Sequence, residues 1–435
     1  MKLSIISDQV DQNYKVAFSK IKELGLDYVE LHNVNNKSIE EITDEELFEL
    51  KETLNKYDLK VSNLSTTIFF LAKLFENYDI SLFNEEFKVF KGTYQEHLNQ
   101  LERACFIANE LDCKNIRVFP FRYPDNLEVK DFDKVKEKII EIMKSAVKIA
   151  EKYNIVLVLE NCPYSHLPKA SMTNEIVEAV NSDNLKLLYD IANSYRAEKQ
   201  KVPEEYLEIS LFDELVNVRD NISHVHLKDY HYDESYEVKP FRHKTILEGD
   251  IDTIELISYL YMTNYQGFLS LEPEVDYEST IKSILNVKNI LKQIDNKIYE
   301  LEQEGIAHHK NNMNCAQATA TTLAPLINED KDFVYKVMEG FGSGMSVGST
   351  CGACTGMNAI VSLAQSGGLS RLGETKHQTK IDVKLCMDSF LKLHDGTCLC
   401  SDLKIDDDHC NLLIADGCRI GYLFLLMNHS IYLDL

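Results

Sequence analysis

The chain has 435 residues, 44% hydrophobic and 27% charged, with a formal net charge of −24. Its length exceeds one ordinary core and implies two domains, a large one and a small one. The acidic excess argues against a nucleic-acid partner, because phosphate binding depends on clustered Lys and Arg. The lack of a run of about eighteen apolar residues argues against a membrane span.

The opening MKLSIISDQV carries one lysine and a short apolar run, too brief for a signal peptide, so it reads as a first strand and a cytoplasmic protein is expected. Strand candidates follow in chain order: LSIIS (3–7), YVELHN (28–33), KVSNLST (60–66), NIRVFPF (115–121), IVLVLEN (155–161), LKLLYDIAN (185–193), ISHVHLKD (222–229) and GFLSLEPE (267–274). Helical periodicity fills the gaps. Val135, Ile139, Ile142, Ala146 and Ile149 would share one face, and Thr43 with Glu46 could form a capping box. Eight strands alternating with helices predict an α/β fold, a parallel sheet closed into a (β/α)8 TIM barrel. An open doubly wound sheet would favour a glycine-rich loop after the first strand, and DQVDQN has no glycine.

A barrel places its chemistry at the carboxyl ends of its strands. There the fifth strand has Glu160, the sixth Asp190, the seventh His226 and the eighth Glu272. One strand-end acid is commonly a helix N-cap or a salt-bridge partner. Four ligand-type side chains on successive strands point to a shared cation: Mn²⁺, Mg²⁺ or Co²⁺, with Zn²⁺ also suited.

The pieces LVLEN (157–161), LLYDIAN (187–193), HVHLKD (224–229), LEGDID (247–252) and LSLEP (269–273) resemble the xylose isomerase-like barrel superfamily over about residues 1–295. The likeness is strongest to sugar epimerases and isomerases related to tagatose 3-epimerase and hydroxypyruvate isomerase. It implies a metal-dependent enzyme acting on a sugar or sugar phosphate, with Glu160, Asp190, His226 and Glu272 as metal ligands and Glu160 and Glu272 as the acid–base pair. Such chemistry removes a weakly acidic proton beside a carbonyl, and a cation stabilises the enediolate that forms.

Many family members have a histidine where this chain has Asn193, which puts a substrate contact in question. Asn193, Lys228, Asp229, Arg196, Arg242 and His243 are candidates for binding hydroxyls or a phosphate near the mouth, against the alternative of a solvated rim. His32 either faces substrate or fills the barrel. The aromatic stretch 67–83 reads as a lid over the site or as a helix packed on a subunit partner. An abasic-DNA endonuclease of the same superfamily is a poorer match: Phe241 stands where an aspartate is expected, and Asn63, Ser65 and Pro120 replace its loop histidines.

Of eleven cysteines, Cys105, Cys113 and Cys162 precede residue 300 and eight lie between Cys315 and Cys418, which marks a domain boundary. In a reducing compartment this density suggests metal or redox chemistry rather than structural disulfides. A long helix over 278–310 is expected to lead into a small helical domain. NCAQATATTLAP (314–325), GFGSGMSVGSTCGACTG (340–356), FLKLHDGTCLCSDL (390–403) and HCNLLIADG (409–417) resemble the redox-active family named for its C-GCAxxG-C-C pattern, over about 305–425. Cys315, Cys351, Cys400 and Cys410 fit that pattern best; Cys354, Cys386, Cys398 and Cys418 fit less well. Cys354 stands at a leucine-like position and creates a local CxxC with Cys351. At a helix start this pair suits a dithiol that cycles with a disulfide, or two ligands of an iron–sulfur or zinc site completed by Cys315, Cys400 or Cys410. Gly342, Gly344 and Gly348 are expected to allow close helix approach and a tight turn, because no strand or GK[ST] supports a phosphate loop. The apolar ending LFLLMNHSIYLDL is a terminal helix or a contact of a homo-oligomer, and the cysteines leave room for a redox partner. A redox protein whose barrel binds sugar without catalysis is the alternative reading of the whole chain.

Overall fold

Short β-branched and leucine-rich runs alternate with capped amphipathic helices through residue 271, and each run forms a parallel strand. The computed structural model describes residues 1–82, 87–197, 201–236 and 240–435. Two compact units are present, Met1–Ile251 with Gln266–Asn286 and Asp252–Tyr265 with Val287–Leu435.

The first unit contains β1 (Lys2–Ile5), β2 (Tyr28–Leu31), β3 (Lys60–Leu64), β4 (Asn115–Val118), β5 (Val156–Glu160), β6 (Leu185–Asp190), β7 (Ile222–Leu227) and β8 (Phe268–Leu271). Spatial order follows chain order, with β1 beside β8, and an isolated parallel bridge from Ile6 to Glu30 joins β1 to β2. This is the expected TIM barrel. Helices α1 (Tyr14–Glu23), α2 (Asp44–Lys56), α3 (Tyr94–Glu110), α4 (Phe132–Tyr153), α5 (Ala170–Val180) and α6 (Leu211–Val218) punctuate the strands. The capping box at Thr43 and Glu46 is formed, and Thr93 with Glu96 repeats it at α3. On α4 the anticipated face is buried at Val135, Ile139, Ile142 and Ala146, with Ala150 rather than Ile149 completing it.

Register sets which side chains meet. Asp190 and His226 are Cα partners across β6 and β7, and His226 pairs with Ser270 of β8. Glu160 pairs with Leu188 of β6, two residues before Asp190. Because strand side chains alternate with period two, Leu188 and Asp190 share a face, as do Ser270 and Glu272.

The stretch after β3 is irregular. Phe69, Phe70 and Leu74 are buried there, Phe70 packs edge-on to Phe119 (ring centroids 4.9 Å apart), and no helix forms among its described residues. Its last residue, Phe83, lies outside the described residues. After β7 the chain forms a hairpin, Asp229–Tyr232 against Phe241–Lys244. Asp229, buried, accepts backbone N–H bonds from Leu247 (3.1 Å), Gly249 (2.9 Å) and Ile251 (3.2 Å). Its carboxylate therefore ties down the following loop, which accounts for it without a substrate contact.

The second unit is helical: α7 (Thr253–Met262), α8 (Tyr277–Lys310, beginning in the first unit), α9 (Cys315–Leu323), α10 (Lys331–Met338), α11 (Gly352–Gln365), α12 (Lys376–Leu393) and α13 (Asp407–Met427). The α8 span is the long helix expected from the sequence. A Cβ on Gly356 would lie 2.5 Å from the Ala316 carbonyl oxygen, so glycine there lets α11 approach α9 closely. Gly344 and Gly348 are left-handed (φ +58° and +72°), forming a tight turn. By length and composition α13 could cross a membrane, but 83% of its apolar window is buried inside the protein, as in a core helix. The ending 423–435 supplies the last turn of α13 and then a tail whose Asp434 backbone bonds to the Gln293 side chain.

Replacing Asp229 by Ala strands one buried and two partly buried N–H groups and should lower unfolding free energy by about 2 kcal/mol, read from urea denaturation. An unchanged midpoint would show that the loop is held by something else.

Candidate metal and substrate site

The carboxyl ends of β5 to β8 bring Glu160, Asp190, His226 and Glu272 together, with one ligand atom from each within 4.8 Å of all the others. Asp190 serves two roles at once. Oδ1 accepts from the Asn193 N–H (2.8 Å) and caps the short helix Ile191–Tyr195, while Oδ2 turns toward the group. Asp190 Oδ2, His226 Nδ1 and Glu272 Oε2 are buried and make no well-aligned hydrogen bond. The Lys228 ammonium lies within ion-pair reach, 3.0 Å from Asp190 and 2.6 Å from Glu272.

Beneath this rim lies a layer absent from the sequence expectations. Glu30 of β2, fully buried, accepts from His224 Nε2 (2.8 Å), His226 Nε2 (3.0 Å), Asn63 Nδ2 (2.7 Å) and Ser65 Oγ (2.7 Å). By engaging Nε2 of His226, it leaves Nδ1 facing the rim. Arg117 of β4 spans both layers: Nη1 donates to Glu160 Oε2 (3.1 Å), Nη2 to the Ser65 carbonyl (3.0 Å) and Nε to the Thr66 carbonyl (3.1 Å). The available signal for both was a charged residue inside an otherwise apolar strand, YVELHN and NIRVFPF.

Electrostatics follow from this geometry. Carboxylates outnumber permanent cations here: Glu30, Glu160, Asp190 and Glu272 face Arg117 and Lys228, with the His226 imidazole among them. Burial pushes Glu160 up to about 7 despite Arg117. Burial also opposes ionisation of Glu272, but Lys228, His226 and Arg117 outweigh it and hold that carboxyl well below its usual range. His226 shows the reverse balance: Glu30 and Glu272 overcome its burial and raise it well above an ordinary imidazole. Oxygen and imidazole donors converging on one region, with carboxylates in excess of permanent cations, suit a divalent cation.

Above the group is a cavity of about 770 Å³. Phe70, Phe87 and Phe119 line one side, so the stretch after β3 supplies an apolar wall to the site. Of the residues expected to bind substrate, His32, Asn193, Lys228 and His243 line the cavity, as does Arg196. His32 is buried, its Nδ1 is 3.0 Å from the Ser65 carbonyl and its ring stacks on Phe87. Asn193 donates to Glu160 Oε1 (3.1 Å), so in place of an imidazole this chain has an amide fixing the glutamate. His243 approaches Glu274 (3.2 Å) and the Tyr230 hydroxyl (3.3 Å). Arg242 differs from expectation: adjacent to His243 on a strand, it projects to the opposite side, is exposed, and lies over Tyr236.

In the helical unit Cys315, Cys351, Cys354, Cys400 and Cys410 are all free thiols. Cys351 precedes α11, Cys354 lies in its first turn, and Cys315 begins α9. Cys351 N–H donates to the Cys398 carbonyl (2.8 Å), and Cys400 N–H to Ser349 (2.7 Å). Among the described residues, both groups of three or more candidate ligands within 4.8 Å of one another belong to the barrel.

The (β/α)8 scaffold with polar side chains gathered at its strand rim defines a TIM-barrel class, and the chain belongs to the xylose isomerase-like TIM barrel family, whose model matches residues 18–294. Residues 313–421 match the family described as "Putative redox-active protein (C_GCAxxG_C_C)". Similar solved structures include the probable 3-DHS dehydratase AsbF of Bacillus anthracis, 16% identical, TM-score 0.50, covering 66% of this chain and 99% of that one. A D-tagatose 3-epimerase-like protein is 22% identical, TM-score 0.49, covering 68% and 100%. The 3-keto-D-glucoside 4-epimerase YcjR of E. coli is 18% identical, TM-score 0.46, covering 66% and 98%. No curated protein matches the sequence.

Glu30→Gln removes the charge that holds His226; for a cation bound at this group, Mn²⁺ affinity should then fall about 10- to 100-fold, as when a carboxylate behind a ligating histidine is lost. Mn²⁺ titration followed by electron paramagnetic resonance measures this. Unchanged affinity in a folded variant would remove Glu30 from the metal site's support.

Proposed function

We propose that the barrel is a divalent-metal-dependent isomerase or epimerase of a sugar or sugar phosphate, and that the helical unit is a redox-active module. On this reading the barrel domain occupies residues 1–295 and the helical domain 305–425. One observation carries the enzymatic part: four ligand-type side chains from consecutive strands converge, and two of them, Glu160 and Glu272, line a cavity sized for a small polar molecule.

A divalent cation held by Glu160, Asp190, His226 and Glu272 would supply positive charge where an enediolate's negative charge develops. Glu160 and Glu272 exchange the proton. One removes it from the carbon beside the carbonyl; the other delivers it to the opposite face for epimerisation, or to the adjacent carbon for isomerisation. Their environments differ in the manner expected of an acid–base pair. Glu160 is raised by burial toward neutral pH, and Glu272 is kept ionised by Lys228. Asn193 and Arg117 fix the two oxygens of Glu160, so its carboxyl plane is set before substrate arrives. His32, Lys228 and His243 offer polar contacts to hydroxyls, while Phe70, Phe87 and Phe119 exclude water from one side.

Glu160→Gln and Glu272→Gln should each slow solvent-deuterium incorporation beside the carbonyl of a turned-over ketose by about 100-fold or more. Proton NMR of the sugar in D₂O with Mn²⁺ present reads the exchange. Exchange at the wild-type rate in either variant would reject the acid–base pair.

A further inference from the structure

The helical unit pairs Cys351, a cysteine that fits the C-GCAxxG-C-C pattern, with Cys354, one that the pattern does not require. Cys354, at the leucine-like position, is fully buried in the first turn of α11, and Cys351 stands at the N-cap of the same helix, so both thiols belong to one helix start. The Cys351 backbone is pinned. Thr350 and Leu399 form an antiparallel bridge, flanked by the bonds from Cys351 to Cys398 and from Cys400 to Ser349. Gly352 lies against the start of α9: a Cβ there would lie 2.3 Å from Cys315 Sγ, so glycine leaves room for that thiol beside the turn.

We propose that Cys351 and Cys354 form a reversible disulfide, with Cys351 attacking a small hydroperoxide and Cys354 resolving the product; this deepens the redox reading of the helical unit and rests on it. The Cys351 thiolate attacks one peroxide oxygen. The O–O bond breaks, hydroxide leaves and takes up a proton to become water, and Cys351 becomes a sulfenic acid. Cys354 then loses its thiol proton and attacks the Cys351 sulfur. An S–S bond forms, the S–O bond breaks, and the hydroxide released combines with that proton as a second water. Two thiols have been oxidised by two electrons and one peroxide reduced; a dithiol reductant reverses the change by exchange, ending as its own disulfide.

Two features favour this pair and this oxidant. The hydrogen bond from Cys354, assisted by the N–H groups of Ala353 and Cys354, brings the Cys351 thiol down to about 7, whereas burial pushes Cys400 up and Cys410 up to about 11. Cys351 is only 3% exposed, which favours a small oxidant such as hydrogen peroxide.

The test uses the full chain, reduced and desalted, then treated with one equivalent of hydrogen peroxide, quenched by alkylation and mapped by mass spectrometry. The expected result is loss of alkylation at Cys351 and Cys354 together, restored by dithiothreitol. Cys354→Ser should leave a Cys351 sulfenic acid trapped by dimedone, and Cys351→Ser should leave Cys354 fully alkylated. A disulfide joining Cys315, Cys400 or Cys410 while Cys354 stays alkylated overturns the pair and leaves the redox reading standing. Full alkylation of every cysteine after peroxide overturns both. The wild-type map needs no variant to fold.

Discussion

The barrel's chemistry depends on a buried carboxylate that makes no contact with the cavity. Ionised Glu30 would cost several kcal/mol to bury alone, and four hydrogen bonds from two other strands, β3 with its end and β7, offset that cost. The same bonds decide how β2, β3 and β7 are joined inside the barrel. They also select which nitrogen of His226 faces inward and which reaches the rim. A barrel interior is ordinarily filled with branched apolar residues. Here a polar layer substitutes for part of that filling, and the rim group inherits its orientation from the layer below.

Arg117 is the second connection between the layers. Its guanidinium neutralises Glu160 from one side and satisfies two carbonyls beyond β3 from the other, so the glutamate's position is coupled to the loop that carries the apolar wall. Two glutamates thus occupy one site with opposite tendencies. The proton transfer proposed for them needs such an asymmetry, because equal proton affinities would not separate donor from acceptor.

The helical unit solves a different problem with small residues. Glycine and alanine along α9 and α11 let two backbones approach closely, and thiols at both helix starts become neighbours through that approach. The left-handed turn before α11 and the short bridge to the 398–400 segment then fix the sulfur-bearing backbone.

Much of this was legible in the chain itself. Eight β-rich runs spaced by capped amphipathic helices leave little but a parallel barrel, because period-two and period-3.6 patterns bury their apolar faces in only a few ways. Glu160, Asp190, His226 and Glu272 could be located from their place at strand ends, since local position in a barrel strand predicts proximity to the rim. The density of cysteines after residue 300 marked the helical unit in the same way. What the chain could not state was long-range pairing. Glu30 meets His224 and His226 from about 194 residues away, and Gly352 matters only because Cys315 of another helix comes to rest against it. Arg242 shows the reverse case: its charge suggested a ligand contact, but strand alternation turned it to solvent while its neighbour His243 faced the cavity. Local pattern determines which elements form and which end of each carries chemistry, whereas the partner of a buried charge is decided only when closure of the sheet brings distant strands within hydrogen-bonding reach.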